Sequence, residues 1–430
     1  MQRRVVITGM GAVTPLALNA PDTWEALKAG KNGVGPITHF DTTDFKVSVA
    51  AELKGFDPLA FLSKSEARHN DPAVQYALAA SDEAVADAGL VIPGAKAGAG
   101  AQEGAEARAN VDPTRLGTYV GSGIGGFSTM VEQVTKFNEG GPRKVSPFMI
   151  PMMIANMPAG AVSIRHHACG PTLPVVTACS TSAHTVGEAF HAIKAGYMDA
   201  ALAGGTEASI LPVAVAAFTS CMALSKNPDP ETACRPFDAE RDGFVMGEGA
   251  VVLVLEELGH ARARGAKVYA EMVGYGNTAD AYHITSPDPE AAGITEALRL
   301  AVAEAGLDPA EGLYINAHGT STKLNDESET RGFKQALGEQ AARAAHVSST
   351  KSMTGHMLGA TGAMEAMACA LALRDGVVPP TIHLTNPDPA CDLDYTPGVA
   401  VRADLRWALS TNLGFGGHNA ALALKKYEED

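Results

Sequence analysis

Residues 174–182 read Pro-Val-Val-Thr-Ala-Cys-Ser-Thr-Ser, and the rest of the chain is organised around them. The apolar, β-branched run 174–177 predicts a buried strand, and the apolar spacing of residues 183–197 predicts a helix. Cys179 would therefore lie where a strand ends and a helix begins. The free N–H groups and the positive dipole end of such a helix favour a thiolate nucleophile. A plain buried cysteine, the commoner role of a free thiol, is the alternative. The helix has three candidate N-caps, which are Ser180, Thr181 and Ser182.

The bulk composition excludes several classes of function. The chain has 430 residues and a formal net charge of −15. This charge argues against a general affinity for nucleic acid or for an anionic membrane, although a local basic patch could still dock an acidic partner. Neither a secretory leader nor an apolar run of about 18 residues is apparent, so we expect no membrane span. Six cysteines without regular spacing are not typical of a disulfide framework, and we expect a reducing, cytoplasmic location.

Strand-like and helix-like patterns alternate along the chain, which predicts an α/β fold with buried sheets covered by helices. Strands are predicted at 5–8, 116–120, 174–177, 200–205, 249–256, 269–275, 313–316, 346–348, 407–412 and 420–425. Helices are predicted at 71–88, 183–197, 257–264, 293–305, 326–337 and 358–373. No linker is strong enough to separate independent domains. We expect two halves, 1–265 and 266–430, fused into one core.

Three glycine-rich stretches need separate interpretation. The loop Gly9–Pro15 lacks the third glycine of a dinucleotide fingerprint, because Thr14 stands there, and a tight turn is expected. The loop Gly121–Gly126 follows a strand but has no Lys-Ser or Lys-Thr after it, so close packing near a site is favoured over phosphate binding. The stretch Pro93–Asn110 is mostly Ala, Gly and Glu. It predicts a mobile surface insertion, with a partner-contacting loop as the lesser alternative.

Two histidines share the predicted architectural position of Cys179. His318 and His356 each follow a strand and stand in a loop rich in Gly and Thr. Open α/β sheets carry their sites at such strand ends, so we expect the thiol and the two imidazoles to converge. A structural histidine is the alternative for each. A zinc site is disfavoured because close ligand pairs are missing, and the nearest approach, residues 166–169, is expected to be surface or loop.

Four segments of the chain resemble the signature motifs of the β-ketoacyl-acyl carrier protein synthases. They are Thr177-Ala178-Cys179-Ser180-Thr181-Ser182, Asn316-Ala317-His318-Gly319-Thr320-Ser321-Thr322, Lys351-Ser352-Met353-Thr354-Gly355-His356 and Gly414-Phe415-Gly416-Gly417. They occur in family order, and the resemblance runs from Val5 to Asn419. It is closest to the type II condensing enzyme of bacterial fatty-acid synthesis. The resemblance implies a thiolase-like α/β fold of five layers, α-β-α-β-α, with two similar halves, and a homodimer.

The resemblance also implies an acyltransferase mechanism. Cys179 would accept an acyl chain as a thioester, and the backbone N–H groups of Cys179 and Phe415 would form the oxyanion hole. His318 and His356 would bind the malonyl thioester carbonyl and stabilise the carbanion left by loss of CO₂. That carbanion would attack the acyl group on Cys179. The result is a decarboxylative Claisen condensation that lengthens the chain by two carbons.

Supporting roles follow from the same resemblance. Lys351 and Glu365 would form a buried polar network behind the histidines; an exposed ion pair of little energetic weight is the alternative. Phe415 would also gate the acyl pocket. The hydroxyls of Thr320 and Thr322 would bind the phosphopantetheine arm of the acyl carrier protein. Three basic residues are weak candidates for contacting that acidic partner, namely Lys64, Arg68 and Arg143. We expect no cofactor beyond the carrier-bound substrates and no metal in catalysis.

The chain departs from the family pattern after Ser410, where it reads Thr411-Asn412-Leu413 instead of the usual Asn-Ser-Phe. Some members of the family build a monovalent cation site from Ser410, Asn316 and neighbours of Glu365, and this departure argues against that site here. A ketosynthase α chain of a type II polyketide synthase, acting in an obligate heterodimer, is the main alternative function. A non-catalytic scaffold is disfavoured by the intact Cys179, His318 and His356. A thiolase is disfavoured because the C-terminal glycine loop has no second cysteine.

Overall fold

The computed structural model describes residues 3–96 and 109–429, so most of the expected insertion at 93–110 lies outside the described residues. The strands are β1 (Val5–Val13), β2 (Gly35–Pro36), β3 (Val49–Ala50), β4 (Leu116–Gly121), β5 (Ala200–Glu207), β6 (Gly249–Glu257), β7 (Ala270–Ala279), β8 (Leu313–Asn316), β9 (His346–Ser348), β10 (Val377–Val378), β11 (Val401–Arg402), β12 (Trp407–Gly414) and β13 (His418–Lys425). The helices are α1 (Ala20–Lys28), α2 (Lys64–His69), α3 (Pro72–Ala88), α4 (Phe127–Gly140), α5 (Met149–Met153), α6 (Met157–His166), α7 (Thr181–Lys194), α8 (Pro212–Ser220), α9 (Leu258–Ala263), α10 (Ala292–Ala305), α11 (Lys323–Leu337), α12 (Glu339–Ala344), α13 (Lys351–Thr354) and α14 (Thr361–Asp375). Short 3₁₀ turns occupy Pro58–Ala60, Pro113–Arg115, Pro142–Lys144, Ala178–Ser180 and Leu358–Ala360.

One mixed sheet runs through the described residues in the order β4-β5-β6-β1-β7-β13-β12-β8-β9. The pairs β4–β5, β12–β8 and β8–β9 are parallel, and the other neighbours are antiparallel. β1 joins β7 through a short register in which Val5 lies opposite Met272. The strands on either side of this junction come from different parts of the chain. β4, β5, β6 and β1 come from residues 5–257, and β7, β13, β12, β8 and β9 come from residues 270–425.

Helices cover this sheet in layers. α3 packs on β1 and β6, and α6 packs on β4, which forms one outer layer. α10 packs on β7 and β13, with α11 against it, and forms the opposite outer layer. α7 and α14 contact strands from both parts of the sheet and lie between them. The predicted five-layer α/β arrangement is therefore confirmed.

The central helix α14 shows why the sequence forms this layer. Every residue from Thr361 to Leu373 is buried, and most of them are Ala, Met or Leu. A helix that is apolar on all sides is stable only inside a core.

None of the described helices combines the length and apolar character needed to cross a membrane.

Two local predictions at the first motif were wrong. Residues 173–177 form no strand, and Val176 remains 50% exposed. The segment runs outside the edge strand β4, to which the Leu173 N–H donates a hydrogen bond at Thr118 O. The apolar pattern predicted burial, but the described residues leave this segment partly exposed.

The predicted N-caps of α7 also have other partners. The Ser180 hydroxyl donates to His418 O, and the Thr181 and Ser182 hydroxyls accept from Thr177 N–H and Ala363 N–H. Ser180 and Ser182 therefore tie the start of α7 to β13 and α14, Thr181 holds the preceding loop at Thr177, and the helix has no side-chain cap in the described part of the chain.

The first glycine loop was also predicted differently. β1 continues through Gly9 and Gly11 to Val13, without the expected turn. A Cβ atom placed on Gly11 would lie 2.0 Å from the carbonyl oxygen of Ala80 in α3. These glycines therefore allow α3 to pack closely on the strand.

Candidate active site

A cavity of about 600 Å³ collects most of the residues singled out from the sequence. Cys179, His318 and His356 line it together. Thr320 and Thr322 also line the cavity, with their hydroxyl oxygens 2.9 Å apart. Other residues of the wall include Phe244, Asp280, Thr285, Leu413, Gly414, Phe415 and Gly417. The expected convergence of the thiol and the two imidazoles in one pocket is therefore present in the structure.

Cys179 lies in the 3₁₀ turn Ala178–Ser180 that leads into α7. Ala178 has φ of +52°, a conformation that costs energy in a non-glycine residue and is often found at functional sites. Burial raises the pKa of the Cys179 thiol to about 11, and the positive charge of Lys351 opposes this shift. Desolvation therefore opposes the thiolate that the helix end, Lys351 and the two backbone N–H groups favour.

Two backbone N–H groups face the sulfur of Cys179. Hydrogen bonding from the N–H groups of Phe415 and of Cys179 itself lowers the pKa of the thiol. Phe415 stands in the turn between β12 and β13, in which Gly416 N–H donates to Ile284 O at 2.8 Å. The turn is thus anchored to a neighbouring loop and presents a second donor beside the nucleophile.

The two histidine rings are buried and lie edge to face. Their centroids are 5.3 Å apart, and the ring planes meet at 87°. Burial, and next the charge of Lys351, hold the pKa of both His318 and His356 well below the usual range. The backbone of Leu413 has the opposite effect, since it raises the pKa of His318. Both imidazoles are therefore neutral at physiological pH, and each has one N–H to donate.

Lys351 and Glu365 lie behind the histidines and do not line the cavity. Both side chains are fully buried, and Lys351 Nζ forms an ion pair with Glu365 Oε1. Asn412 Nδ2 donates to Glu365 Oε2 at 2.8 Å and lies 3.4 Å from His318 Nδ1. Burial raises the pKa of Glu365 to about 7 against the effect of Lys351. The alternative of an exposed ion pair does not hold.

Two buried carboxylates that sequence reasoning missed hold the catalytic loops. Glu329 accepts hydrogen bonds from His318 N–H at 2.6 Å and Gly319 N–H at 2.8 Å. Glu207 accepts from Gly123 N–H at 2.9 Å and Gly359 N–H at 3.0 Å. Burial raises the pKa of each of these two carboxyls to about 7. Glu207 could have been found from the sequence, because it is an acidic residue at the end of an apolar strand. Glu329 could not, because in sequence it resembles any other polar residue of α11.

Possible metal positions are limited. No group of three or more His, Cys, Asp or Glu within residues 3–96 and 109–429 could hold a metal ion. Ser410 Oγ, Asn412 Oδ1 and Asn316 Oδ1 are buried without a hydrogen-bond partner in that part of the chain. Ser410 lies opposite Asn316 in the β12–β8 register. Two of the three residues therefore hold paired positions on neighbouring strands, and buried oxygens of this kind normally have partners.

The remaining candidates lie elsewhere. Three basic side chains are exposed and do not line the cavity. Lys64 and Arg68 lie on α2, and Arg143 lies in the turn Pro142–Lys144. In the 166–169 segment, Cys169 is exposed as expected. His166, however, is buried and contacts Ser81 Oγ at 2.9 Å, so its surface placement was wrong.

Comparison with known proteins identifies the family of the chain. Residues 2–261 match the family model "Beta-ketoacyl synthase, N-terminal domain", and residues 269–385 match "Beta-ketoacyl synthase, C-terminal domain". The chain belongs to the β-ketoacyl synthase family. It is 49% identical over 428 residues to 3-oxoacyl-[acyl-carrier-protein] synthase 2 of Synechocystis sp., covering 99% of both chains. It is 49% identical over 426 residues, again 99% of both chains, to the Staphylococcus aureus protein of the same description.

Solved structures of related ketosynthases match the fold of the whole chain. The ishigamide ketosynthase/chain length factor has a TM-score of 0.89 and 34% identity and covers 100% of both chains. A β-ketoacyl synthase from Burkholderia phymatum has a TM-score of 0.88 and 36% identity over 100% of both chains. A ketosynthase in complex with a type II PKS acyl-carrier protein and bound to the hexaketide has a TM-score of 0.89 and 30% identity, also over 100% of both chains.

Proposed function

We propose that this β-ketoacyl synthase elongates acyl chains in fatty-acid biosynthesis. It condenses malonyl-carrier protein with a Cys179-bound acyl group and releases a β-ketoacyl-carrier protein two carbons longer. The observation that carries the proposal is the single cavity lined by Cys179, His318 and His356. The relatives named 3-oxoacyl-[acyl-carrier-protein] synthase 2 support it, since they match along nearly the whole chain.

The first step is acyl transfer. The Cys179 sulfur attacks the thioester carbonyl of the acyl-carrier protein, a C–S bond forms, and the carrier thiol leaves with the proton from Cys179. Negative charge develops on the carbonyl oxygen, and the N–H groups of Cys179 and Phe415 are placed to stabilise it. Because burial raises the pKa of the thiol to about 11, the proton must leave during attack rather than before it.

The second step is decarboxylation. His318 and His356 donate N–H hydrogen bonds to the malonyl thioester oxygen. The bond to the carboxylate breaks, CO₂ leaves, and its electron pair remains as an enolate. Neutral imidazoles suit this role, and burial with Lys351 keeps the pKa of both rings low enough to hold them neutral.

The third step forms the carbon–carbon bond. The enolate carbon attacks the acyl carbonyl on Cys179, the C–S bond breaks, and the released thiolate takes a proton. Lys351 and Glu365 keep the rings in place and neutral from behind. Thr320 and Thr322 hydrogen-bond the phosphopantetheine arm, and Phe415 gates the acyl pocket.

The acyl carrier protein is the proposed partner. A solved relative carries an acyl-carrier protein bound to its ketosynthase. In this chain Lys64, Arg68 and Arg143 are exposed, and each lacks an ion-pair partner among the described residues. Free basic groups on an acidic protein suit an acidic partner. They remain our candidates for this contact.

A homodimer explains the uncovered edge beside β4. Leu173 and Val176 there are 51% and 50% exposed, and Ile164 on α6, which packs on β4, is 61% exposed. Further exposed apolar side chains lie on α4 and α5, which pack on each other, including Phe137 and Ile150. Exposed apolar side chains on a series of neighbouring elements favour an association surface. We propose that a second copy covers it, which sedimentation equilibrium would report as twice the mass of one chain.

We also propose how the two halves of the chain divide the catalytic residues and where the protein is located. The half 1–265 supplies the nucleophile, and the half 266–430 supplies both histidines. The cytoplasm is the proposed location, because none of the six cysteines is disulfide-bonded within the described chain.

The polyketide ketosynthase α chain is the second candidate, favoured by the likeness to the ishigamide and hexaketide-bound ketosynthases. Reconstitution separates the two functions. The purified chain alone, given acyl- and malonyl-carrier protein, should form a β-ketoacyl-carrier protein two carbons longer, detected by mass spectrometry. Activity only after addition of a chain-length partner protein would establish the polyketide reading instead. No product under either condition would contradict both.

A further inference from the structure

Asn412 occupies a position between the buried ion pair and the catalytic imidazole. Its side chain is fully buried on β12, at one of the positions where the chain departs from the usual family sequence. Nδ2 donates to Glu365 Oε2 at 2.8 Å and lies 3.4 Å from His318 Nδ1. One amide group thus contacts both the carboxylate that pairs with Lys351 and the ring that faces the cavity.

The orientation of this amide is fixed by its neighbours. Turning it over would bring Oδ1 against Glu365 Oε2, two acceptors in contact within a buried site. Nδ2 therefore faces Glu365. An amide nitrogen carries two hydrogens, so the one not used by Glu365 is available to His318 Nδ1. A ring nitrogen that accepts such a hydrogen bond cannot itself carry a proton.

We propose that Asn412 is a positioning residue that fixes the tautomer of His318, leaving Nδ1 as an acceptor and the proton on Nε2. With Nδ1 engaged by the amide, the ring proton lies on Nε2, the atom that must donate to the malonyl thioester oxygen. The inference rests on the proposed function, since it assigns the source of that N–H.

His356 also has a neighbour that orients its ring, so the two histidines of the site can be compared with each other. Thr361 Oγ1 lies 3.1 Å from His356 Nδ1. A hydroxyl can donate or accept, so it adapts to either tautomer, whereas the fixed amide of Asn412 cannot. The effect of replacing Asn412 should therefore be confined to His318.

The test uses the whole protein labelled with ¹⁵N-histidine in a Cys179→Gln background. The ring-nitrogen shifts of His318, identified by their loss in His318→Ala, should report a bare Nδ1 and a protonated Nε2. Asn412→Leu, which keeps the volume but has no donor, should populate both tautomers. It should lower kcat for malonyl-carrier protein decarboxylation about 10–100-fold, with KM little changed. Asn412→Ala provides the same test should the leucine variant not fold.

Ser81→Ala is the matched control. Ser81 is equally buried, on α3, and its hydroxyl donates to Leu78 O at 2.9 Å, away from the cavity. It should lose stability but keep the decarboxylation rate. A protonated Nδ1 in the parent protein, or an unchanged tautomer and rate in both Asn412 variants, would overturn the proposal. If His318→Ala also leaves decarboxylation intact, the proposed function fails instead, and the two failures are thus distinguishable.

Discussion

His318 and His356 approach each other edge to face, with ring centroids 5.3 Å apart and planes at 87°. Their rings come from loops that follow different strands, β8 and β9. Perpendicular rings direct their N–H groups along different lines, so both can reach one oxygen atom without stacking. This arrangement suits two donors that share a developing enolate.

Removal of either histidine should abolish decarboxylation. In a Cys179→Gln background, where no acyl transfer can occur, release of CO₂ from malonyl-carrier protein reports this step alone. His318→Ala and His356→Ala should each lower the rate about 100–1,000-fold, the usual loss when one oxyanion donor is removed. A rate within a factor of two of the background in either variant would remove that histidine from the mechanism.

The reactivity of Cys179 should increase with pH without levelling off near neutrality. Burial raises the pKa of its thiol to about 11, so the thiolate fraction rises about tenfold per pH unit below that value. Iodoacetamide alkylation should follow this slope from pH 7 to pH 10. Replacing the exposed Cys169 and Cys221 with serine isolates the signal. A plateau below pH 8 would show that the resting group is a thiolate after all.

Breaking the buried ion pair should destabilise the protein strongly. Lys351→Met leaves Glu365 buried without its cation, which typically costs about 3–5 kcal/mol. The double variant Lys351→Met, Glu365→Gln removes both charges and should recover part of that loss. Urea unfolding of the parent, the two single variants and the double variant gives the coupling free energy. Strict additivity would mean that the two groups do not act as a pair.

The turn that carries Phe415 should tolerate no side chain at Gly416. Its φ of +91° is disfavoured for other residues, and an added Cβ would lie 3.1 Å from His418 Nε2. Gly416→Ala should displace the Phe415 N–H and lower kcat/KM for condensation about 10–100-fold.

Gly265→Ala is the control for that variant. Gly265 also has positive φ, +69°, but an added Cβ would meet nothing within 4 Å. It should cost about 1–2 kcal/mol of stability and leave condensation unchanged. Equal activity losses in the two variants would assign the effect to backbone strain in general rather than to the turn.

Much of the architecture could be predicted because it follows from local patterns. The predicted strand 313–316 and helix 293–305 differ from β8 and α10 by at most one residue at an end. The glycine and threonine loops after strands marked His318 and His356. These signals are local in sequence, and so they are visible without the fold.

What the sequence did not reveal depends on distant neighbours. The run 174–177 has the composition of a buried strand, but it forms no strand and Val176 remains 50% exposed. Asn412 and Glu329 resemble ordinary polar residues until the fold brings Glu365 and the His318 backbone beside them. The thiolate expectation for Cys179 considered the helix end alone and not the desolvation imposed by the packed surroundings.

The most direct test of the central claim is to observe the acyl group on the protein. After incubation with acyl-carrier protein alone, mass spectrometry of the peptide containing Cys179 should show one added acyl group, absent in Cys179→Ala. Addition of malonyl-carrier protein should then discharge that peptide as the two-carbon-longer β-ketoacyl-carrier protein appears. An acyl group on another residue, or one that persists on Cys179 while product forms, would contradict the account.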